Sequence, residues 1–236
     1  MKIKNSEFID FLLVIFVLIF LIIIILMRCN IANNVENFTS FSKTQKLRDE
    51  YKKVYDKGLN NDAKKIYDKL EKIDCPNNDK TSKEIDILLN HQKEKDLHSH
   101  KIQAENQRIK EKDYDRLNVE FEDRDRINKF IKTILGPIIM KMKIEYDRSR
   151  PTFFDKRVKN IIDIPPSPSY PSGHACQSYA VALLLSKKYP DNKDFYMNNA
   201  KLVSENREIA GLHYPSDTDY GMKLAHQIVE LSNFEI

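Results

Sequence analysis

Glycine is scarce, with five in 236 residues, and this argues for helices over a fold built from many tight turns. Cysteine occurs only as Cys29, Cys75 and Cys176, with no Cys-x-x-Cys pair, and an odd number gives no disulfide framework. A dominant charge sign is missing too: 39 Lys and Arg stand against 35 Asp and Glu, a net +4. That excess is small and dispersed, and no stripe alternates basic residues with stacking aromatics, so nucleic acid is excluded as a partner. No segment shows sustained strand alternation. The expected fold is all-α, with a length that allows one sizeable core plus an appendage.

What is present begins with an apolar run. Residues 11–27, FLLVIFVLIFLIIIILM, with Phe8 and Ile9 before them, approach the length of a bilayer-crossing helix. A cleaved secretory signal normally has a shorter apolar region ending in small residues, whereas this one runs into Met27-Arg28-Cys29-Asn30. The segment therefore reads as one N-terminal transmembrane helix, with residues 8–27 in the membrane. Lys2, Lys4 and the free amine against Arg28 favour a cytoplasmic N-terminus, hence a single-pass protein with its globular part on the non-cytoplasmic side.

The organisation is three-part: residues 1–28 as the anchor, 29–80 as a polar helical spacer or accessory hairpin, and 81–236 as the globular domain. In the spacer, Leu47, Tyr51, Val54 and Tyr55, then Ala63, Ile66, Tyr67 and Leu70, recur at helical spacing around a break at Gly58-Leu59-Asn60-Asn61. Thr81-Ser82-Lys83-Glu84 fits a capping box ahead of Ile85, Leu88 and Leu89. His91, His98 and His100 sit among charged residues without a metal-ligand spacing and read as surface histidines. Over 101–135, Leu117, Phe121, Ile127, Ile131 and Ile134 give a narrow apolar face, which Gly136-Pro137 interrupts before a further helix. Pro151 is expected to stop that helix. Helices are then expected over 175–188, 196–209 and 215–234, with Cys176 as a packing residue and His226 packed or at the surface.

The chemistry lies in three fragments. Pro171-Ser172-Gly173-His174 puts a histidine just past a Ser-Gly turn at the start of an apolar helix, where unpaired amides and the helix dipole favour an anion. Before it stand Lys143 and, six residues on, Arg150-Pro151; after it stand Arg207, five residues, His213, three residues, Asp217. Together these read as a phosphate pocket. Lys141 and Arg148 fall outside the pattern and are expected to be solvated charges.

These fragments, with SYPSGH and AGLHYPSD as they stand, resemble the type 2 phosphatidic acid phosphatase superfamily. That superfamily also holds class A non-specific acid phosphatases, to which the likeness is greatest, and vanadium-dependent haloperoxidases. The resemblance covers about residues 115 to 232 and implies the helical bundle of that type. It implies His213 as nucleophile, Asp217 as its support, and His174 as general acid and later base. Lys143, Arg150, Ser172, Gly173 and Arg207 would hold the phosphate, with glycine needed at 173 for close backbone approach. One departure is Asn206, where the family usually has Ser before the arginine.

The implied activity is a metal-independent phosphomonoester hydrolase acting through a phosphohistidine. It needs no cofactor, although vanadate can mimic the phosphoryl group. The partner is a phosphorylated small molecule or a lipid head group, and the oligomeric state, a homo-oligomer included, is left open. Two alternatives stand beside it: a vanadate-dependent haloperoxidase, and a membrane-anchored scaffold with a relic phosphate pocket.

Overall fold

The computed structural model describes residues 58–106 and 119–236. The expected transmembrane segment lies outside them, as does Leu117; among the described residues no helix is long and apolar enough to cross a membrane. Those residues form helices and no strand: α1 (Asn61–Tyr67), α2 (Asn78–Glu94), α3 (Leu97–Asn106), α4 (Phe121–Phe130), α5 (Gly136–Tyr146), α6 (Pro151–Phe154), α7 (Gly173–Lys188), α8 (Lys193–Ile209) and α9 (Pro215–Ser232). The expected all-α class holds there.

The apolar positions of α7 explain its central place. Ala180, Val181, Leu184 and Leu185 bury one side, and α8 and α9 pack along it more extensively than any other helices in the structure. Leu224, Ala225 and Ile228 of α9, at spacings of three and four, close the same core. Each large aliphatic side chain so buried contributes roughly 1.5–3 kcal/mol. From α1, within the stretch read as a spacer, Ala63, Ile66 and Tyr67 join this core, as does Leu70 just after the helix. Tyr146, Tyr170 and Tyr220 form an aromatic cluster beneath the loop before α7, with Tyr170 stacked on Tyr220 at 5.0 Å between centroids and Tyr146 edge-on to both.

Four local expectations are corrected. Gly136-Pro137 does not break the helix: a widened π-helical turn, Ile131–Leu135, joins α4 to α5 so that the chain stays helical from Phe121 to Tyr146. Proline lacks the N–H that would bond the carbonyl four residues back. That carbonyl, on Thr133, instead accepts from Asn60 Nδ2 at 2.8 Å. Phe121, counted on the apolar face, is exposed. Pro151 does not end α5 either. The helix stops at Tyr146, where Asp147 turns left-handed (φ 46°), and Pro151 opens the short α6. Nor do Thr81 and Glu84 form a capping box. Asn77 caps α2, its side chain accepting from the Lys80 amide at 3.0 Å, which leaves Thr81 and Glu84 on the buried face with Ile85 and Leu88.

Candidate active site

The spacing Arg207, five residues, His213 is the geometry of a helix end. Gly211 sits past the last residue of α8 with φ 72°, and two bonds close the turn: Gly211 N to Glu208 O at 2.8 Å and Leu212 N to Arg207 O at 3.1 Å. This is the Schellman pattern, which favours glycine at the left-handed position. A Cβ on Gly211 would also lie 2.4 Å from the Lys159 carbonyl oxygen. The reversal buries Arg207 in the last turn of α8 and His213 two residues beyond the glycine.

Asp217 then follows at the third position of α9, where a carboxylate meets both the N-terminal amides and the positive end of the dipole. Its Oδ2 accepts from the Tyr214 amide at 3.0 Å and the Ser169 hydroxyl, and lies 3.1 Å from His213 Nδ1. Burial alone would raise the pKa of this carboxyl. Arg148, then His213 and Ser169, more than reverse that and hold it well below the carboxylate range. An ionised carboxylate only accepts hydrogen bonds, so Nδ1 of His213 carries the hydrogen and Nε2 keeps its lone pair. Burial is also the first cause that pushes the His213 ring down to about 3; Arg150 and Lys143 add to it, against the opposing pull of Asp217.

Around Nε2 stand the basic residues. Arg150 Nη1 lies 3.5 Å from it. That guanidinium, 1% exposed, is fixed by the Ser167 and Leu212 carbonyls at 2.9 Å each and by the Ser167 hydroxyl at 3.1 Å. Lys143, buried in the last turn of α5, donates to the Pro168 and Ser169 carbonyls at 2.6 and 3.0 Å. Burial, with Arg150 next, drives its pKa well below the usual lysine value. His174 is half-buried in the first turn of α7, and burial, Arg207, His213, Arg150 and Lys143, in that order, depress its pKa well below normal. The six side chains Lys143, Arg150, His174, Arg207, His213 and Asp217 thus share one electrostatic environment.

Ser172 caps α7, its oxygen accepting from the Ala175 amide at 3.3 Å, and its own amide donates to the Asp217 carbonyl at 2.9 Å. A Cβ at Gly173 would meet only Ile139 at 3.5 Å and Lys143 at 3.8 Å, ordinary contacts within the protein. The tight helix-to-helix approach is at Gly221 on α9, where a Cβ would fall 2.6 Å from the Ser172 carbonyl oxygen.

Sequence reasoning missed a second layer. Arg148, read as a solvated charge, is 5% exposed and spans two carboxylates: Nη1 reaches Asp217 Oδ1 at 2.6 Å and Nη2 reaches Glu84 Oε2 at 2.8 Å. Thr81 Oγ1 accepts from Nη2 at 2.9 Å, and Ser216 Oγ from Nη1 at 2.8 Å. The signal for Glu84 was its place on the Ile85–Leu88 face of α2, since a carboxylate on a buried stripe requires a cation. His100, expected at the surface, is half-buried with Nδ1 2.7 Å from Asn206 Oδ1, the residue that departs from the family pattern. Lys141, expected to be solvated, is half-buried and pairs with Glu145 Oε1 at 2.9 Å, while His226 is exposed and Cys176 is buried, as expected.

Comparison with known proteins bears on the same segment. Residues 129–229 match the family model described as PAP2 superfamily. A non-specific acid phosphatase from Providencia stuartii is 36% identical over 81 residues, which cover 33% of this chain and 33% of that protein. The chain therefore aligns with about a third of that relative's length.

Proposed function

From the match of residues 129–229 to the PAP2 superfamily model, we propose that the protein is a phosphomonoester hydrolase of that superfamily working through a phosphohistidine at His213. The observation that carries this reading is the pair of contacts on one imidazole: Nδ1 held by Asp217 at 3.1 Å, Nε2 facing Arg150 at 3.5 Å. A neutral ring with its lone pair aimed at a cation-lined position is a nucleophile awaiting an electrophile that bears negative oxygens. The relative's name as an acid phosphatase points to the same chemistry.

In the reaction, His213 Nε2 attacks phosphorus and the P–O bond to the alcohol breaks. His174 gives its proton to the leaving oxygen, and Asp217 supports the positive charge gained by the His213 ring. His174 then takes a proton from water as that water displaces the histidine, releasing phosphate. Lys143, Arg150 and Arg207 neutralise the equatorial oxygens, where transition-state charge resides. The phosphate dianion also makes protonation of His174 favourable, because it offsets the cations that depress the ring in the free protein. We read the substrate as a soluble monoester or the phosphate of a lipid head group. The apolar residues 11–27, with Phe8 and Ile9 before them, and the order of Lys2, Lys4 and Arg28 support a single-pass tether with the domain on the non-cytoplasmic side.

Hydrolysis of p-nitrophenyl phosphate, with and without a chelator, tests the reading. Turnover that persists with chelator and vanishes in His213→Ala is expected; wild-type turnover in His213→Ala would refute it.

A further inference from the structure

We propose that Glu84 is a positioning residue of the phosphoryl-transfer site, acting on His213 through Arg148 and Asp217, so that the catalytic unit begins in α2, ahead of residues 129–229. The inference rests on the reading of His213 as nucleophile. Both oxygens of the Glu84 carboxylate are committed: Oε1 accepts from the Ser216 amide at 2.7 Å, and Oε2 from Arg148 Nη2 at 2.8 Å and the Ser216 hydroxyl at 2.9 Å. Glu84 is 4% exposed, and the guanidinium it grips lies over the Tyr214 ring at 3.8 Å from the centroid. Arg148 is therefore fixed in plane and in direction by α2 and α9, and it meets Asp217 on its other edge.

The charge count explains why a second carboxylate belongs there. Arg148 with Asp217 alone would be a neutral pair, and the guanidinium would draw the Asp217 charge away from His213. Glu84 occupies the other edge of the guanidinium and leaves the triad of Glu84, Arg148 and Asp217 with an excess negative charge. The groups facing His213 are otherwise Asp217, Arg150, Lys143 and His174, of which only Asp217 is anionic. A ring that must gain positive charge on attack at phosphorus needs that excess. A purely structural role would be served as well by apolar packing, since buried ion triads bring little net stability.

The test compares the full-length wild type with Glu84→Gln, which keeps a side-chain acceptor for the Ser216 amide but no charge, and with Glu84→Ala. Turnover of p-nitrophenyl phosphate is expected to fall roughly ten- to a hundredfold in kcat in Glu84→Gln, the scale of losing one charge-assisted hydrogen bond, with KM within about threefold. Independently of turnover, the downfield proton resonance of His213 Nδ1–H, assigned by its loss in His213→Ala, is expected to move upfield as Asp217 becomes a weaker acceptor. A Glu84→Gln protein with wild-type kcat, or one with raised KM at unchanged kcat, overturns the inference whatever its melting temperature. Absence of turnover in the wild type would refute the hydrolase reading instead. The proton resonance then decides on Glu84 alone: an unmoved signal overturns its role.

Discussion

Replacing Asp217 by asparagine sets an amide among four hydrogen-bond donors. In the native protein Oδ2 accepts from the Ser169 hydroxyl and the Tyr214 amide and faces His213 Nδ1, while Oδ1 accepts from Arg148 Nη1 at 2.6 Å. Every one of these partners donates. An asparagine has one accepting oxygen, so its NH2 must point either at Arg148 or at the three donors around Oδ2. Turning the NH2 toward Arg148 is the lesser conflict, because Glu84, Thr81 and Ser216 still hold that guanidinium. The cost is then that of breaking one arm of a buried ion network, roughly 3 kcal/mol. His213 would keep its tautomer and lose the charge that supports it during attack. Loss of kcat on the order of 10²–10⁴ is expected, with KM changed far less, because on the proposed reading Lys143, Arg150 and Arg207 would still grip phosphate. Thermal unfolding and steady-state hydrolysis of p-nitrophenyl phosphate measure the two effects separately. An Asp217→Asn protein whose kcat stays within tenfold of wild type would refute the reasoning.

Other expectations follow from burial and close approach. Glu208, next to Arg207, is pushed up to about 7 from 4.5, first by burial and then by Asp217 and Asp219, against the opposing influence of the Thr218 hydroxyl. A carboxyl raised in the folded state favours folding below its unfolded pKa and loses that contribution as pH rises toward 7; 2.5 pKa units correspond to about 3 kcal/mol. Denaturant titrations should therefore show Glu208→Gln gaining on wild type between pH 4.5 and pH 8, and parallel stability curves would contradict this. In Gly221→Ala the new Cβ meets the Ser172 carbonyl at 2.6 Å, backbone that cannot swing aside, and also Ala175 Cβ at 3.0 Å. Overpacking of this kind costs typically 1–3 kcal/mol, and the shift of α9 against the start of α7 should lower kcat as well. Unchanged melting and turnover would show that the two helices have slack.

Much of this site is legible in the sequence because its elements are local. Ser172 ahead of a helix, Gly211 after one, and Asp217 three residues past a cap are short-range rules, and they bring Arg207, His213 and Asp217 into register through α8 and α9. The Gly136-Pro137 misreading shows where local rules end: the chain absorbs the proline by widening the preceding turn and lending the orphaned Thr133 carbonyl to Asn60. Arg148 and Glu84 are farther out of reach, being 64 residues apart in the chain and meeting only when α2 packs against α8 and Glu84 reaches Ser216 at the start of α9. Nothing local separates a lysine-rich protein's solvated arginine from one clamped between carboxylates. Gly221 was out of reach for a similar reason, since its tight contact with the Ser172 carbonyl is set by helix packing and not by a local turn.

The central claim is that phosphorus bonds transiently to one ring nitrogen. Rapid quenching of the wild type during turnover of a ³²P-labelled monoester, at a pH that preserves phosphoramidates, followed by peptide mapping, addresses it directly. The account predicts label on the peptide bearing His213, lost on brief acid treatment and absent in His213→Ala. Label on another residue, or a competent turnover burst without any protein-bound phosphate, would contradict it.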